Sequence, residues 1–383
     1  MAPPRPPPEL NDDAVREILL YLPPDDPAHL VRASLVSKRW RRILSDPGFL
    51  RRYRRFHRTP PLLGFFHDVC NFDADPGFIP TTTAAAASPF LPTTGLDGGS
   101  WAFDCRHGRV LLQPMGTGNG GFIVWDPVTG DKVELDEPGI PCQHFSASVL
   151  CSQGGCDDDH LHCAGGPFIV VFVCSNARGI QRACIYSSET GAWSAPASVK
   201  ASLYFSVEPN RGALVGDKIF FTLSQGEEIL KYDLGKQRLS LIDPPAMYRY
   251  RCNTVLMGSK IGLLGLAGIM NSKVHLWHKK VEPEEVAGWV HWGIIELEIF
   301  ISTSYLCSRA RVIGFAEDVG ALFIKINASV YIIELRSREM RKVCKNADYG
   351  TVLPFTSVYT PGTIPLLLIS VDVIRSFHMF VDY

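Results

Sequence analysis

The sequence predicts an α+β chain of two unlike domains: a small all-α module over residues 10–58 and an all-β, six-bladed propeller over residues 62–361. Three observations carry that prediction. Within residues 10–58, apolar side chains recur every three to four residues, the spacing that gathers them on one stripe of a helix. Beyond them that period fades, and short β-rich runs separated by Gly, Asp, Ser and Thr turns take over. Those runs carry aromatic anchors at Trp125, Tyr186, Tyr232, Trp277 and Tyr331, spaced by 61, 46, 45 and 54 residues. Four-stranded propeller blades repeat at ~40 to 50 residues. A hydrophobic content of 46% with 20% charged residues is that of a soluble globular chain and argues against extended disorder.

The first helix is expected from Val15, Ile18, Leu19 and Leu22, with Asp12 and Asp13 capping its positive end and Pro23-Pro24 stopping it. Asp25, Asp26 and Pro27 restart the chain as a helix carrying Leu30 and Val31, because Pro is tolerated in a first turn. Residues 37–45 place Trp40, Ile43 and Leu44 on one face. Asp46-Pro47 then opens a fourth helix with Phe49, Leu50, Tyr53 and Phe56. Four such short helices are expected to lack a closed core of their own, since so small a chain buries too little surface, and so to need a partner.

In this order the residues resemble the F-box: Leu10, Asp13, Ile18-Leu19, Leu22-Pro23, Leu30-Val31-Arg32, Val36-Ser37-Lys38-Arg39-Trp40-Arg41, and Ser45-Asp46-Pro47-Gly48-Phe49. The resemblance implies docking on a Skp-type adaptor, and through it a cullin–RING ligase, by Leu10, Ile18, Leu19, Leu22, Pro23, Leu30, Val36, Trp40 and Leu44. Asn11 stands where the F-box usually has Pro, which predicts a less rigid start to the first helix and weaker adaptor binding.

Residues 1–9 are Pro-rich with one basic residue and no apolar segment, so a disordered leader is expected rather than a secretory or transit peptide. No apolar run reaches the ~20 residues of a membrane-spanning helix; the nearest, residues 364–373, contains Pro365 and Asp372. Charge is divided unevenly. Residues 1–60 hold 12 Lys+Arg against 7 Asp+Glu, net +5, which leaves −6 for the rest. Arg51, Arg52, Arg54 and Arg55 flank Tyr53 and read as the solvated side of a packed helix rather than a nucleic-acid patch. The eleven cysteines are scattered and mostly set in apolar stretches, which predicts reduced thiols in the cytoplasm or nucleus. Cys151, Cys156, Asp157, His160, His162 and Cys163 crowd metal-competent residues together. Without a Cys-x-x-Cys pair, residues 151–163 are expected to be a solvent loop that holds no metal.

The β-region is read as repeated hairpins. Residues 122–130 lead into 132–135, residues 183–191 into Trp193, and residues 229–235 into 239–242, with the turn Gly free to take positive φ. Weaker copies run from Trp277 to residues 289–292 and from Tyr331 to residues 340–343. Each anchor follows another apolar strand pair, such as residues 212–221 and 320–326, so four strands per unit are expected. Tyr186 and Trp193 resemble the Tyr and Trp of a kelch repeat.

Taken together, residues 62–361 resemble the F-box-associated β-propeller of plant F-box proteins, particularly those of grasses. The marks are Leu62-Leu63-Gly64-Phe65-Phe66, the aromatic-Asp/Ser-x-x-x-Gly turns, and residues 354–361. Residues 362–383 match no pattern; a strand closing the last blade against residues 62–72 is one expectation for them and an uncertain tail the other. Catalytic and nucleotide-binding motifs are absent from the sequence: no Gly-x-Ser-x-Gly, no Walker loop, no His-Glu-x-x-His. The Gly-rich residues 116–121 precede a strand, whereas a phosphate-cradling loop must open a helix. The resemblance therefore implies a non-enzymatic substrate receptor of a Skp–cullin–F-box ubiquitin ligase, without cofactor. An F-box scaffold or transcriptional co-regulator outside a ligase, and a propeller enzyme, stand as alternatives. The longest loops, residues 76–100, 114–121, 151–166 and 282–289, are where a target would be chosen.

Overall fold

The computed structural model describes residues 10–358 other than residues 26, 68–75, 82–98, 116–119, 128, 153–164, 203–204, 225–227, 249–253, 282–287, 298–309 and 346–348. Four helices come first: α1 (Asp12–Leu20), α2 (Pro27–Val36), α3 (Lys38–Leu44) and α4 (Pro47–His57). The cap of α1 is Asn11, not Asp12 or Asp13: its Oδ1 accepts the Ala14 N–H at 2.8 Å. Asn is among the strongest N-caps, so a hydrogen bond fixes the start of α1 where Pro would have fixed it by its ring. Asn11 is thus no loose point. Ser37 and Asp46 cap α3 and α4 in the same way, accepting from Trp40 at 3.1 Å and Phe49 at 2.9 Å.

The helices do close a core. Val15, Leu19, Leu20, Leu30, Ala33, Ile43, Leu44, Phe49 and Tyr53 are buried together, with Val358 from the far end of the β-region packed against them. Two large rings make this possible in so few residues. Phe49 and Tyr53 stack at 6.0 Å between centroids, and Tyr53 Oη donates to Leu22 O at 2.7 Å, so its one polar atom is satisfied where it is buried. Burial raises the Tyr53 phenol above its ordinary pKa.

Six antiparallel sheets follow. β1 (Leu62–His67) and β2 (Gly77–Pro80) belong to the last of them. Blade 1 is β3 (Ser100–Arg106), β4 (Arg109–Pro114), β5 (Phe122–Trp125) and β6 (Lys132–Leu135). Blade 2 is β7 (His144–Cys151), β8 (Phe168–Ser175), β9 (Ile180–Ser187) and β10 (Ala192–Trp193), with β11 (Ala197–Lys200) also on β9. Blade 3 is β12 (Ala213–Val215), β13 (Lys218–Thr222), β14 (Ile229–Asp233) and β15 (Arg238–Ile242). Blade 4 is β16 (Thr254–Met257), β17 (Leu263–Met270), β18 (Lys273–Lys280) and β19 (Val290–Glu296). Blade 5 is β20 (Arg311–Ala316), β21 (Ala321–Ile326), β22 (Ser329–Glu334) and β23 (Met340–Lys345). Blade 6 is β24 (Leu353–Thr356), which pairs with β1, which in turn pairs with β2. The ring is a six-bladed propeller closed by strands from its two ends. The strand that meets β1 is thus β24; residues 362–383, expected as one candidate for that place, lie outside the described residues, as does the leader 1–9.

Strand burial follows from this packing. Each inner strand sends alternate side chains into the junctions on its two sides: Ile219 and Phe221 of β13 pack toward blade 2, and Phe220 toward blade 4. One apolar cluster fills each of the six junctions. Inner strands such as β8 and β13 therefore read as near-continuous apolar runs, as fully covered strands do, while outer strands such as β6 and β23 are largely exposed. Trp125, Tyr186, Tyr232, Trp277 and Tyr331 all stand on the third strand of their blades, and each packs into the junction with the blade before it. Trp193 Nε1 donates to Asp136 O at 2.9 Å, and Trp289 Nε1 donates to Asp243 O at 2.7 Å. The Tyr186–Trp193 arrangement thus has a counterpart in Trp277 and Trp289, each outer Trp reaching back to the segment that leaves the preceding blade.

The turns from third to fourth strand share one geometry. Gly130 and Gly191 take φ of +80° and +66° and donate back to Asp126 O and Ser187 O at 2.8 Å. In blade 3 the residue with positive φ is Gln237 at +48°, not Gly235. The turn is held there by Asp233 Oδ1, which accepts the Lys236 N–H at 2.8 Å.

Candidate functional site

The helical module presents two kinds of apolar residue. Leu19, Leu30 and Leu44 are 1%, 1% and 0% exposed and belong to the core. They hold the helices in place and offer no contact surface, which corrects their assignment to adaptor docking. Leu22 and Trp40 are half-buried at the rim of that core, and Pro23 is exposed. Leu10, Ile18 and Val36 are exposed, Ile18 by 49% and Val36 by 64%. Leu35 and Tyr21 are exposed beside them in sequence, and Tyr21 meets Phe56 edge-on at 5.2 Å.

Polar contacts fix the backbone behind this surface. Arg39 Nε donates to Asp12 Oδ1 at 2.5 Å, and its Nη2 donates to Leu10 O at 2.6 Å, which ties α3 to the start of α1. The Arg39 hydrogen bond, with Arg39, Arg42 and Arg16 nearby, holds the Asp12 carboxyl below its ordinary pKa. Arg52 pairs with Glu17 at 2.6 Å across α4 and α1. Arg51, Arg52 and Arg55 are exposed on α4, opposite the buried Phe49 and Tyr53.

The second candidate region is the propeller axis. A cavity of about 310 Å³ is lined by residues of blades 3 to 6, among them Glu208, Arg211, Thr254, Arg311 and Glu317. A buried ionic cluster flanks it. Asp104 Oδ1 accepts from Arg211 Nε at 2.8 Å and from the Cys105 N–H at 2.8 Å, while Oδ2 accepts the Val149 N–H at 3.1 Å. Arg106 Nη2 donates to Glu317 Oε1 at 3.0 Å and to Gly212 O at 2.7 Å; Arg211 Nη2 reaches Glu317 Oε2 at 3.3 Å. Two carboxylates and two guanidinium groups thus balance at the axis, binding blades 1, 3 and 5 together. Glu317 also lines a smaller cavity of about 120 Å³ with His107 and Lys260.

Glu208 is the exception to that balance. It takes hydrogen bonds from Asn210 Nδ2 at 2.9 Å and Thr222 Oγ1 at 3.0 Å, and burial raises its pKa in spite of both. A carboxyl whose folded pKa lies above its unfolded value destabilises the fold progressively as pH rises past the unfolded value. Glu208→Gln should therefore raise the melting temperature at neutral pH and leave it unchanged in acid. Coincident melting shifts at the two pH values would refute this.

Among the described residues, the lining of the axial cavity contains no His, Cys or Ser, and no three His, Cys, Asp or Glu gather as metal ligands. The metal-competent residues 153–163 lie outside the described residues. So do most of loops 76–100, 151–166 and 282–289 and half of loop 114–121.

Comparison with protein families gives two matches. The F-box domain matches residues 8–52, and the β-propeller of the F-box protein AT5G49610-like family matches residues 101–362. The chain belongs to this family of F-box proteins. Its F-box is the helical module, and its AT5G49610-like propeller is the six-bladed ring. A curated relative, F-box protein At5g03970 of Arabidopsis thaliana, is 24% identical over 301 residues, covering 74% of this chain and 68% of that one. Among solved structures, a protein from Lactobacillus plantarum is 12% identical with a TM-score of 0.44, covering 74% of this chain and 81% of its own. The WD40 domain of SCAP from fission yeast is 13% identical with a TM-score of 0.38, covering 67% and 56%.

Sequence reasoning missed Leu35 and Tyr21 on the F-box surface and the whole axial cluster of the propeller. Its sequence neighbour does not mark Leu35, since Val36 beside it is exposed as well. Nothing local marks Asp104, Arg106, Arg211 and Glu317 as partners.

Proposed function

We propose that this F-box protein is the target-binding subunit of a Skp–cullin–F-box ubiquitin ligase. The observation that carries the reading is the surface of the F-box. Its core is complete without Leu10, Ile18, Leu35 and Val36, yet these four large apolar residues stay exposed at positions of the F-box pattern or beside them, which supports reading them as a contact surface. In this reading the exposed residues, with the rim residues Leu22, Pro23 and Trp40, dock on a Skp-type adaptor, and the propeller holds a target protein. The chain itself supplies no chemistry or cofactor. It works by proximity, holding a target lysine close to the ubiquitin-loaded enzyme so that a bimolecular encounter becomes effectively intramolecular. Its setting is the cytoplasm or nucleus, a reading supported by thiols such as Cys105 and Cys184 embedded in the core; burial pushes the Cys184 thiol up to about 12.

The full chain, purified from cells with its partners, should bring down both a Skp-type adaptor and a cullin. Proteins captured by a chain lacking residues 10–58 should gain ubiquitin in a reconstituted reaction only when those residues are restored. Adaptor without cullin would move the reading to a scaffold outside a ligase, and capture of neither would end it.

A further inference from the structure

Between blades 3 and 4 lies a groove of about 280 Å³ whose charge runs against that of the region around it. Lys231, Lys236, Arg238, Lys279 and Lys280 line it, and Asp233 is its one carboxylate. Strand register explains the gathering. Asp233 pairs with Arg238 and Lys231 with Ser240 on one face of blade 3, while Lys279 pairs with Leu264 on blade 4. Asp233 is already engaged, 4.0 Å from both Lys218 and Lys236, and its Oδ1 accepts the Lys236 N–H. Among the described residues, Arg238, Lys279 and Lys280 have no carboxylate within ion-pair distance.

This excess sits in a part of the chain that is net −6 outside residues 1–60. The axial cavity differs in its charge balance: its two arginines, Arg211 and Arg311, share the lining with two carboxylates, Glu208 and Glu317, and Arg211 is already paired with Asp104 and Glu317. Leu241, Ile242, Leu264 and Val281 give the groove an aliphatic side. Its volume falls at the lower edge of small-molecule sites, roughly 300–1,000 Å³, which suits anchoring side chains better than enclosing a cofactor.

We propose that this groove binds an acidic peptide segment of the target protein, with carboxylates on Arg238, Lys279 and Lys280 and an aliphatic side chain against Leu241 and Leu264. The proposal rests on the propeller being the target-binding body. A polyanion such as single-stranded nucleic acid fits less well. Phe220 is the groove's one aromatic ring and is 1% exposed, so no stacking platform is offered. The acidic remainder of the propeller would also repel a long phosphate chain, whereas a short segment feels mainly charges within a Debye length of about 8 Å.

The test is fluorescence anisotropy of the full chain with a short fluorescein-labelled peptide of alternating Glu and Leu. Its Gln–Leu counterpart and a labelled oligothymidine serve as competing probes. Saturable binding of the Glu–Leu peptide is expected, weakening as salt is raised. The Lys279→Glu/Lys280→Glu variant should bind about tenfold or more weakly, and Arg238→Gln less severely. Both changes are on polar surface, and a melting curve matching the parent shows that the fold is kept. Equal binding by the charge-reversed variant, equal binding of the Gln–Leu peptide, or tighter binding of oligothymidine would each overturn the proposal.

Adaptor pull-down separates this from the ligase reading. If adaptor and cullin bind but the peptide does not, the groove proposal falls alone. If the peptide binds in the charge-dependent manner and the adaptor does not, the ligase reading falls and the groove stands as an acidic-peptide site.

Discussion

Replacing Asp104 with Ala should destabilise the propeller by about 3–5 kcal/mol, the loss expected when one member of a buried ion cluster is removed. Asp104 is wholly buried and accepts from Arg211 and from the backbone N–H groups of Cys105 and Val149. Without it, Arg106 and Arg211 face Glu317 alone, and one positive charge is left uncompensated at the axis. The two backbone donors lose their acceptor as well, each such loss worth about 1–3 kcal/mol where water cannot substitute. Chemical denaturation followed by tryptophan fluorescence measures the effect; a loss below about 1 kcal/mol would show that water or Glu317 replaces the carboxylate. Asp104→Ala combined with Arg211→Met should cost less than the sum of the single changes, because the second removes the cation that the first orphans.

The second large effect separates docking from folding in the F-box. Ile18→Asp with Val36→Asp should weaken adaptor binding by roughly 2–4 kcal/mol, the range of interface hot spots, while the melting curve stays that of the parent. Both residues project outside the core, so a carboxylate there remains hydrated in the free chain and is buried only on docking. Leu44→Ala should do the reverse. At 0% exposure its loss opens a cavity among Leu19, Ile43 and Tyr53 and costs about 2–5 kcal/mol of stability. Calorimetric titration with a Skp-type adaptor reads the first effect, and unchanged affinity in the double variant would remove this face from the docking model. Trp40 is a poorer probe because it also packs on the core, so its truncation mixes both effects.

What the sequence shows and what it hides divide by range. The four helices, the third-strand aromatics and the Tyr186–Trp193 pair are legible because each rests on residues within about one repeat of one another. The axial cluster is not legible: Asp104 and Arg211 are 107 residues apart, and Arg106 and Glu317 are 211 apart. Within the F-box, the pattern mixes positions that fill the core with positions that face outward. Ile18 and Leu19 adjoin in sequence but lie about 100° apart around a helix, so one is exposed and the other buried. The cap of α1 was misread for a similar reason. Three consecutive residues, Asn11, Asp12 and Asp13, can all cap a helix, and only the position of Arg39 shows that Asp12 is engaged elsewhere. Gln237 takes a left-handed φ without being Gly, so the blade 3 turn is placed by its Asp233 hydrogen bond rather than by the residue that usually marks it.

The pairing of Leu62–His67 with Leu353–Thr356 also sets an order of events during synthesis. The F-box lies ahead of the propeller in the chain and, with a core that only Val358 reaches from the far end, can fold while most of the propeller is still unmade. The ring cannot close until residue 356 has emerged. A message cut short before β24 would therefore yield a chain with a folded F-box but no closed propeller. On the proposed ligase reading, such a product would occupy the adaptor and compete with the whole protein rather than merely being absent.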